Sequence, residues 1–256
     1  MEALITAGGI PLPGEPLFEY TRGGPKAMLS VAGKPMLQHV INALVGSKSV
    51  THITIIGLTE LSGLSCPLPL TLLPNQPDML SNIITGMREI SARNPGAEQM
   101  LLVASDIPAL TGQMVDWMVD IVEKSDADLF YNVVTRQVME ARYPGSRRTY
   151  TRLKDLEICG GDLSALRLDM LDNLSDLWGQ LIASRKNPVK QAAIMGFGLL
   201  FQLLTRQATL EDAARMISDR LGIKGKVILC PFAELGMDAD KPFQLEILQK
   251  DLASRG

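Results

Sequence analysis

The 256-residue chain is poor in the residues that build metal and disulfide frameworks, with three cysteines and two histidines. Cys66, Cys159 and Cys230 lie far apart and form no C-x-x-C pair. That argues against a disulfide scaffold and against a Cys/His zinc site. With only His39 and His52 available, a three-histidine metal site is impossible. Any metal used here is therefore expected to be a hard ion held by carboxylates. Neither sign of charge is in large excess: 25 Lys+Arg stand against 28 Asp+Glu, a net charge of −3. A broad nucleic-acid-binding surface is not expected from that balance. No run reaches the roughly 18 uninterrupted apolar residues of a membrane span. The nearest, Ala192–Phe201, is bracketed by Gln191 and Gln202. It reads as a buried helix, with a subunit interface or a membrane-facing surface as alternatives. Met1 runs directly into the apolar segment Ala3–Ala7, so a cytoplasmic protein with reduced thiols is expected.

What is present describes an ordinary folded chain: 46% apolar and 21% charged residues. The length suits a single α/β domain over 1–256. Residues 3–7 form a short apolar run ending in Gly8-Gly9, which reads as a buried strand feeding a loop. That loop is rich in Gly and Pro as far as Pro25. Pro35 suits a first helical turn, and Met36, Leu37, Val40, Ile41 and Leu44 mark one helical face that stops near Gly46. Strands are expected at 51–56, 68–73, 100–104 and 129–134, with helices over 82–90 and after the cap residue Thr111. Buried strands alternating with helices predict an α/β fold: a three-layer α/β/α arrangement around a mostly parallel, mixed sheet.

The second half reads differently. Arg147–Leu153 alternates in strand fashion, and residues 163–221 are helical in pattern, an expected helical insertion or cap. Thr209-Leu210-Glu211-Asp212 resembles a capping box, with Gly222 as the stop. Lys226–Cys230 returns to strand, and Pro242–Leu252 is a closing helix.

Three places offer chemistry. Gly8 and Gly9 free the backbone to approach phosphate oxygens, and the same loop carries Arg22 and Lys26. It has neither the G-x-x-x-x-G-K-[ST] nor the G-x-G-x-x-G pattern. Asp106 ends a buried strand, where open α/β sheets place their ligands. Asp238 and Asp240 sit two residues apart before Pro242, and either one could complete a metal site with Asp106. Farther along the chain, Arg148, Tyr150, Arg152 and Lys154 alternate, which predicts a shared strand face, basic or simply solvated. Gly160-Gly161 allows close backbone approach, or serves as a turn.

Leu4–Gly9, Pro25–Leu29 with Val31–Met36, Asp106-Ile107-Pro108 and Asp238–Pro242 together resemble the nucleotidyltransferase superfamily. That superfamily has the nucleotide-diphospho-sugar transferase fold and includes the molybdenum-cofactor guanylyl/cytidylyltransferases and sugar-phosphate nucleotidyltransferases. The resemblance covers about 1–134 and 225–252. It implies a Mg²⁺-dependent, pyrophosphate-releasing transfer of an NMP group from an NTP to a phosphorylated small-molecule acceptor. Ala7, Gly8, Gly9, Lys26, Ser81 and Asn82 would contact nucleotide. Lys26, Arg22 and Asp106 would be catalytic. Asp106 with Asp238 or Asp240 would hold metal, and Arg148, Arg152, Gly160 and Gly161 would face the acceptor. The loop between the glycines and Arg22 is longer than in many relatives. Asp126-Ala127-Asp128 raises a second reading, a glycosyltransferase of the same fold, although that pair precedes a strand rather than ending one. A non-catalytic nucleotide-binding scaffold is a third. A homo-oligomer is compatible with all of them.

Overall fold

The computed structural model describes residues 1–61, 63–173 and 207–255. The apolar run Ala192–Phe201 and most of the expected helical insertion lie outside the described residues. Five parallel or near-central strands build the sheet first: β1 (Glu2–Thr6), β4 (His52–Ile56), β5 (Leu70–Leu73), β6 (Gln99–Ala104) and β7 (Leu129–Thr135). Between them, β2 (Ser30–Val31) and β3 (Lys34–Pro35) form a separate two-stranded hairpin. Its two connecting residues, Ala32 and Gly33, both have positive φ (48° and 82°). That backbone matches the two-residue turn whose twist suits a hairpin.

β1 is central and pairs in parallel with β4 on one side and β6 on the other, with Ile5 opposite Ile55 and Val103. β5 forms one edge, parallel to β4. Beyond β6 the sheet turns mixed. β8 (Thr151–Arg152), β9 (Glu157–Gly160) and β10 (Leu163–Arg167) follow in the chain, and β10 lies antiparallel between β6 and β7. β11 (Gly225–Cys230) closes the far side, parallel to β7.

The helices α1 (Phe18–Thr21), α2 (Met36–Val45), α3 (Met79–Arg93), α4 (Gly112–Val122), α5 (Arg136–Arg142), α6 (Leu210–Leu221) and α7 (Pro242–Ala253) connect or flank these strands. Alternation along β1 splits the core in two. Ala3 and Ile5 pack with Val40 and Leu44 of α2 and Met118 of α4, whereas Leu4 packs with Ile83, Met87 and Ile90 of α3. Each of these side chains larger than alanine contributes roughly 1.5–3 kcal/mol by leaving water. Two apolar layers on opposite faces of one sheet make the expected three-layer α/β/α domain.

Two expectations are corrected. Leu163–Arg167 is not helical: it is a fully inserted strand, with Leu163, Ala165 and Leu166 buried. A short apolar run has no period that separates a buried strand from a buried helix, and the pairing with β6 decides it. A 3₁₀ segment, Leu168–Asn173, follows. Helical structure with the expected cap does appear in α6, where Thr209 accepts from the Asp212 N–H and Gly222 takes the left-handed conformation. The second correction concerns 147–153, of which only Thr151–Arg152 is strand.

Candidate active site

All of β1, β4, β5, β6 and β7 end on the same edge of the sheet, because they run in parallel. β10 runs the other way, so its start lies on that edge too. This edge collects Gly8, Gly57, Asn75, Asp106, Thr135 and Asp162.

The glycine loop is tied down at both ends. The Ala7 N–H donates to Ile56 O at 2.8 Å, and the Lys26 N–H donates to Gly9 O at 2.8 Å. The 16 residues between Gly9 and Lys26 therefore form a closed excursion that returns Lys26 to the glycines. Gly8 sits where a Cβ would meet the Asn75 side chain at 1.9 Å, and a Cβ on Gly57 would meet Gly8 N at 2.1 Å. Only backbone fits between these loops, as a site that receives a ligand against main chain requires.

Lys26 Nζ lies 2.5 Å from Asp106 Oδ2 and 2.5 Å from Asp240 Oδ1. The Lys26 side chain is 15% exposed. Burial on its own lowers a lysine pKa, but the two carboxylates outweigh it and raise Lys26 above its ordinary value. Asp240 reaches this position because its segment docks on β6's end: the Ala239 N–H donates to Asp106 O at 3.0 Å. Asp238, two residues earlier, turns elsewhere and forms an ion pair with Arg148, both largely buried (13% and 14% exposed).

Asp162, which sequence reasoning passed over, belongs to the same group. Its carbonyl accepts the Ala104 N–H at 3.0 Å, two residues before Asp106, and its own N–H donates to Leu235 O at 2.8 Å. Burial, together with the negative charges of Asp106 and Asp240, pushes its carboxyl up to about 7, against the pull of Arg148 and Lys26. A carboxylate straight after Gly160-Gly161 was the only local signal for it.

The remaining predicted residues divide. Arg22 is exposed and left-handed (φ 50°) at the end of α1. The Ser81 N–H and hydroxyl are bonded to Asp78, the N-cap of α3. Asn82 is buried (8% exposed), accepts the Gln76 N–H at 2.9 Å and donates to Asn75 Oδ1 at 3.0 Å. Arg148, Tyr150, Arg152 and Lys154 do not form one basic face. Arg148 turns to Asp238, Tyr150 donates to Glu140, and Arg152, 55% exposed, pairs with Glu157. Irregular backbone before Thr151 breaks the period-two alternation on which that face depended. Gly160 and Gly161 join β9 to β10, and the space where their side chains would lie is filled by Tyr131 and Asn132. Asp126 and Asp128 precede β7 and so stand at the opposite edge of the sheet, engaged with Lys224.

Among the described residues, no group of three or more His, Cys, Asp or Glu side chains is drawn together for a metal ion. The convergence of Asp106 and Asp240 on one buried ammonium nevertheless fits a hard divalent ion. Mg²⁺ characteristically takes one or two protein carboxylates and leaves its other positions to water and substrate phosphates. Lys26 Nζ marks a point where positive charge is held between the two oxygens.

The family model described as MobA-like NTP transferase domain matches residues 5–201. Among solved structures, a hypothetical transferase from Thermus thermophilus superposes with a TM-score of 0.81 at 27% identity, over 95% of this chain and 98% of that one. CMP:2-keto-3-deoxy-manno-octonic acid synthetase in complex with CTP has a TM-score of 0.61 at 14% identity, over 100% and 99%. The 2-C-methyl-D-erythritol 4-phosphate cytidylyltransferase of Thermus thermophilus has a TM-score of 0.56 at 12% identity, over 99% and 98%. These last two are likenesses of fold. No curated protein sequence matches the chain.

Proposed function

Because the chain belongs to the MobA-like NTP transferase domain family, we propose that it transfers an NMP group from an NTP to a phosphorylated small-molecule acceptor and releases pyrophosphate. The observation that carries this reading is the meeting of Lys26, Asp106 and Asp240 beside the Gly8-Gly9 backbone, on the edge where the parallel strands end.

Backbone groups of Ala7, Gly8 and Gly9 receive the nucleotide, and Lys26 holds its phosphates once the ammonium exchanges a carboxylate for a phosphate oxygen. Arg22, exposed in the same loop, adds a second cation to the outer phosphates. An oxygen of the acceptor phosphate attacks the α-phosphorus in line. A new P–O bond forms as the bond to the β-phosphate oxygen breaks, and pyrophosphate carries away the electron pair. No side chain becomes covalently modified; the chain's contribution is positioning and charge compensation. Mg²⁺ would be held by Asp106 and Asp240, and when bound it neutralises phosphate charge and orients reacting oxygens. Asp238 is held instead by its ion pair with Arg148. The acceptor lies toward Arg148, Arg152, Gly160 and Gly161, past Asp162. Such chemistry draws on the NTP of the cytoplasm.

The test is pyrophosphate release from each of the four common NTPs with Mg²⁺ and a panel of phosphorylated acceptors. Lys26→Ala is expected to lower turnover on the order of 10²–10³-fold. A folded wild-type protein that binds no NTP in the presence of Mg²⁺ overturns the proposal.

A further inference from the structure

From α5 through β8 the chain carries five arginines, and four of them are spent on carboxylates. Arg136 and Arg152 pair with Glu157, Arg142 with Glu234 and Asp251, and Arg148 with Asp238. Arg147 is the exception. Among the described residues it forms no ion pair, and its guanidinium lies over the Phe243 ring, 5.3 Å from the centroid. Lys241 reaches the same ring from its own segment, with Nζ 5.9 Å from the centroid. It too has no carboxylate partner among the described residues. Both residues are exposed. Two like charges gathered on one ring repel each other, and an exposed ring compensates a cation only weakly. The backbone at Arg147 is also unusual. Its φ is 50°, a conformation that few non-glycine residues adopt. Its neighbours hold it there: Ser146 is fully buried with its N–H donating to Tyr143 O at 3.1 Å, and Arg148 is tied to Asp238. Strain that the surroundings keep in place points to a side chain presented for use.

Position says what that use is. Lys241 is the N-cap of α7 and directly follows Asp240, whose carboxylate meets Lys26. Arg147 directly precedes Arg148, whose partner Asp238 begins the same segment. The two cations therefore adjoin the carboxylate cluster. They come from the connections that follow β7 and β11, which are paired neighbours on the far side of β10 from β1. The glycine backbone of Gly8 and Gly57 belongs instead to the loops after β1 and β4. A triphosphate laid over those glycines and held at Lys26 leaves Arg147 and Lys241 to the other substrate.

We propose that Arg147 and Lys241, gathered on the Phe243 ring, form an anion subsite for a second anionic group of the acceptor, distinct from the phosphate that attacks. The acceptor is then a phosphorylated small molecule that also bears a carboxylate or a further phosphate. Arg147 offers a planar fork of donors and Lys241 a point charge, and both kinds of oxyanion accept from such groups. Phe243 is a positioning residue, since it gathers the cations without supplying charge. The inference rests on the nucleotidyl-transfer reading above.

Matched probes separate one anionic group from two. Ethyl phosphate is set against phosphoglycolate and against ethylene glycol bisphosphate, and the longer sorbitol phosphate against phosphogluconate. The measurement is Kd by calorimetry with Mg²⁺, on protein saturated with the α,β-methylene analogue of its best-binding NTP, so that the triphosphate site is filled and no transfer occurs. At least one doubly anionic probe is expected to bind about tenfold or more tighter than its singly anionic counterpart, the scale of one charge-assisted hydrogen bond. Whether the carboxylate or the bisphosphate probe gains more identifies the second group. Arg147→Gln and Lys241→Gln are each expected to cut the ratio about threefold or more, and the double variant to remove it. Arg136→Gln takes one charge from an exposed arginine of the same region and is expected to leave the ratio unchanged. Circular dichroism confirms folding, and if one of the two site variants does not fold the other decides alone. No gain for any doubly anionic probe, a ratio untouched by the site variants, or an equal loss in Arg136→Gln overturns the inference while leaving nucleotide binding intact. Absence of binding for every NTP instead overturns the reading on which it rests.

Discussion

Two charged clusters in this molecule use the same chemistry to different ends. One ties α5 to α7. Arg142 bonds Glu234 at 3.0 Å and pairs with Asp251, Arg255 reaches Asp251 at 2.5 Å, and the Tyr143 hydroxyl donates to Asp251 at 2.8 Å. Two arginines face two carboxylates, so the cluster is balanced. The other, at the strand ends, gathers Asp106, Asp162, Asp238 and Asp240 around Lys26 and Arg148. Four carboxylates against two cations leave negative charge over. A balanced cluster is finished by folding. An unbalanced one, held at the edge of a sheet, keeps negative charge that folding leaves uncompensated.

The sharpest way to break the comparison is a single amide. Asp106→Asn is expected to lower turnover on the order of 10³-fold or more, while the melting temperature stays within about 3 °C. Pyrophosphate release and calorimetry read the two quantities. A large loss of stability instead would make the site cluster structural like the other.

Asp251→Ala attacks the balanced cluster. It strips Arg142, Arg255 and Tyr143 of a shared, largely buried partner, 8% exposed. About 3 kcal/mol of stability should be lost in urea unfolding, with turnover per folded molecule retained. Full retention of stability would show that the arginines find other partners.

A third, smaller effect comes from pH. Asp162 has its carboxyl raised to about 7 from an ordinary 3.8. Between those values the folded chain keeps a proton that the unfolded chain has released. Its contribution to stability is therefore greatest at the acid end and declines as pH climbs toward about 7. In metal-free buffer, the melting temperature of the wild type should fall between pH 5 and 8 more steeply than that of Asp162→Asn. Parallel curves would mean that neither burial nor the neighbouring carboxylates hold a proton on Asp162 in the folded chain.

How much was legible follows from sequence separation. The Gly8-Gly9 turn, the Thr209 cap of α6 and the Pro242 start of α7 are local, and their signatures lie within a few residues. Lys26, Asp106 and Asp240 were each marked by position at the end or start of an element. The Arg148–Asp238 pair spans 90 residues and has no local signature. It exists because the segment after α5 crosses to the segment after β11. The strand Leu163–Arg167 was hidden for a similar reason: its partners, β6 and β7, are distant in the chain.

Composition and local pattern alone determined that this chain forms an α/β domain with carboxylates, a lysine and glycines at strand ends. They also set the expectation that any metal used is a hard cation, because thiol and imidazole ligands are scarce. Which carboxylate meets Lys26, which one is drawn away to Arg148, and which arginine is left on an aromatic ring were decided only by tertiary structure. Propensity and periodicity act over a turn of helix or a few strand residues. Hydrogen-bond polarity and ion pairing between distant segments depend on the sheet order that brings those segments together.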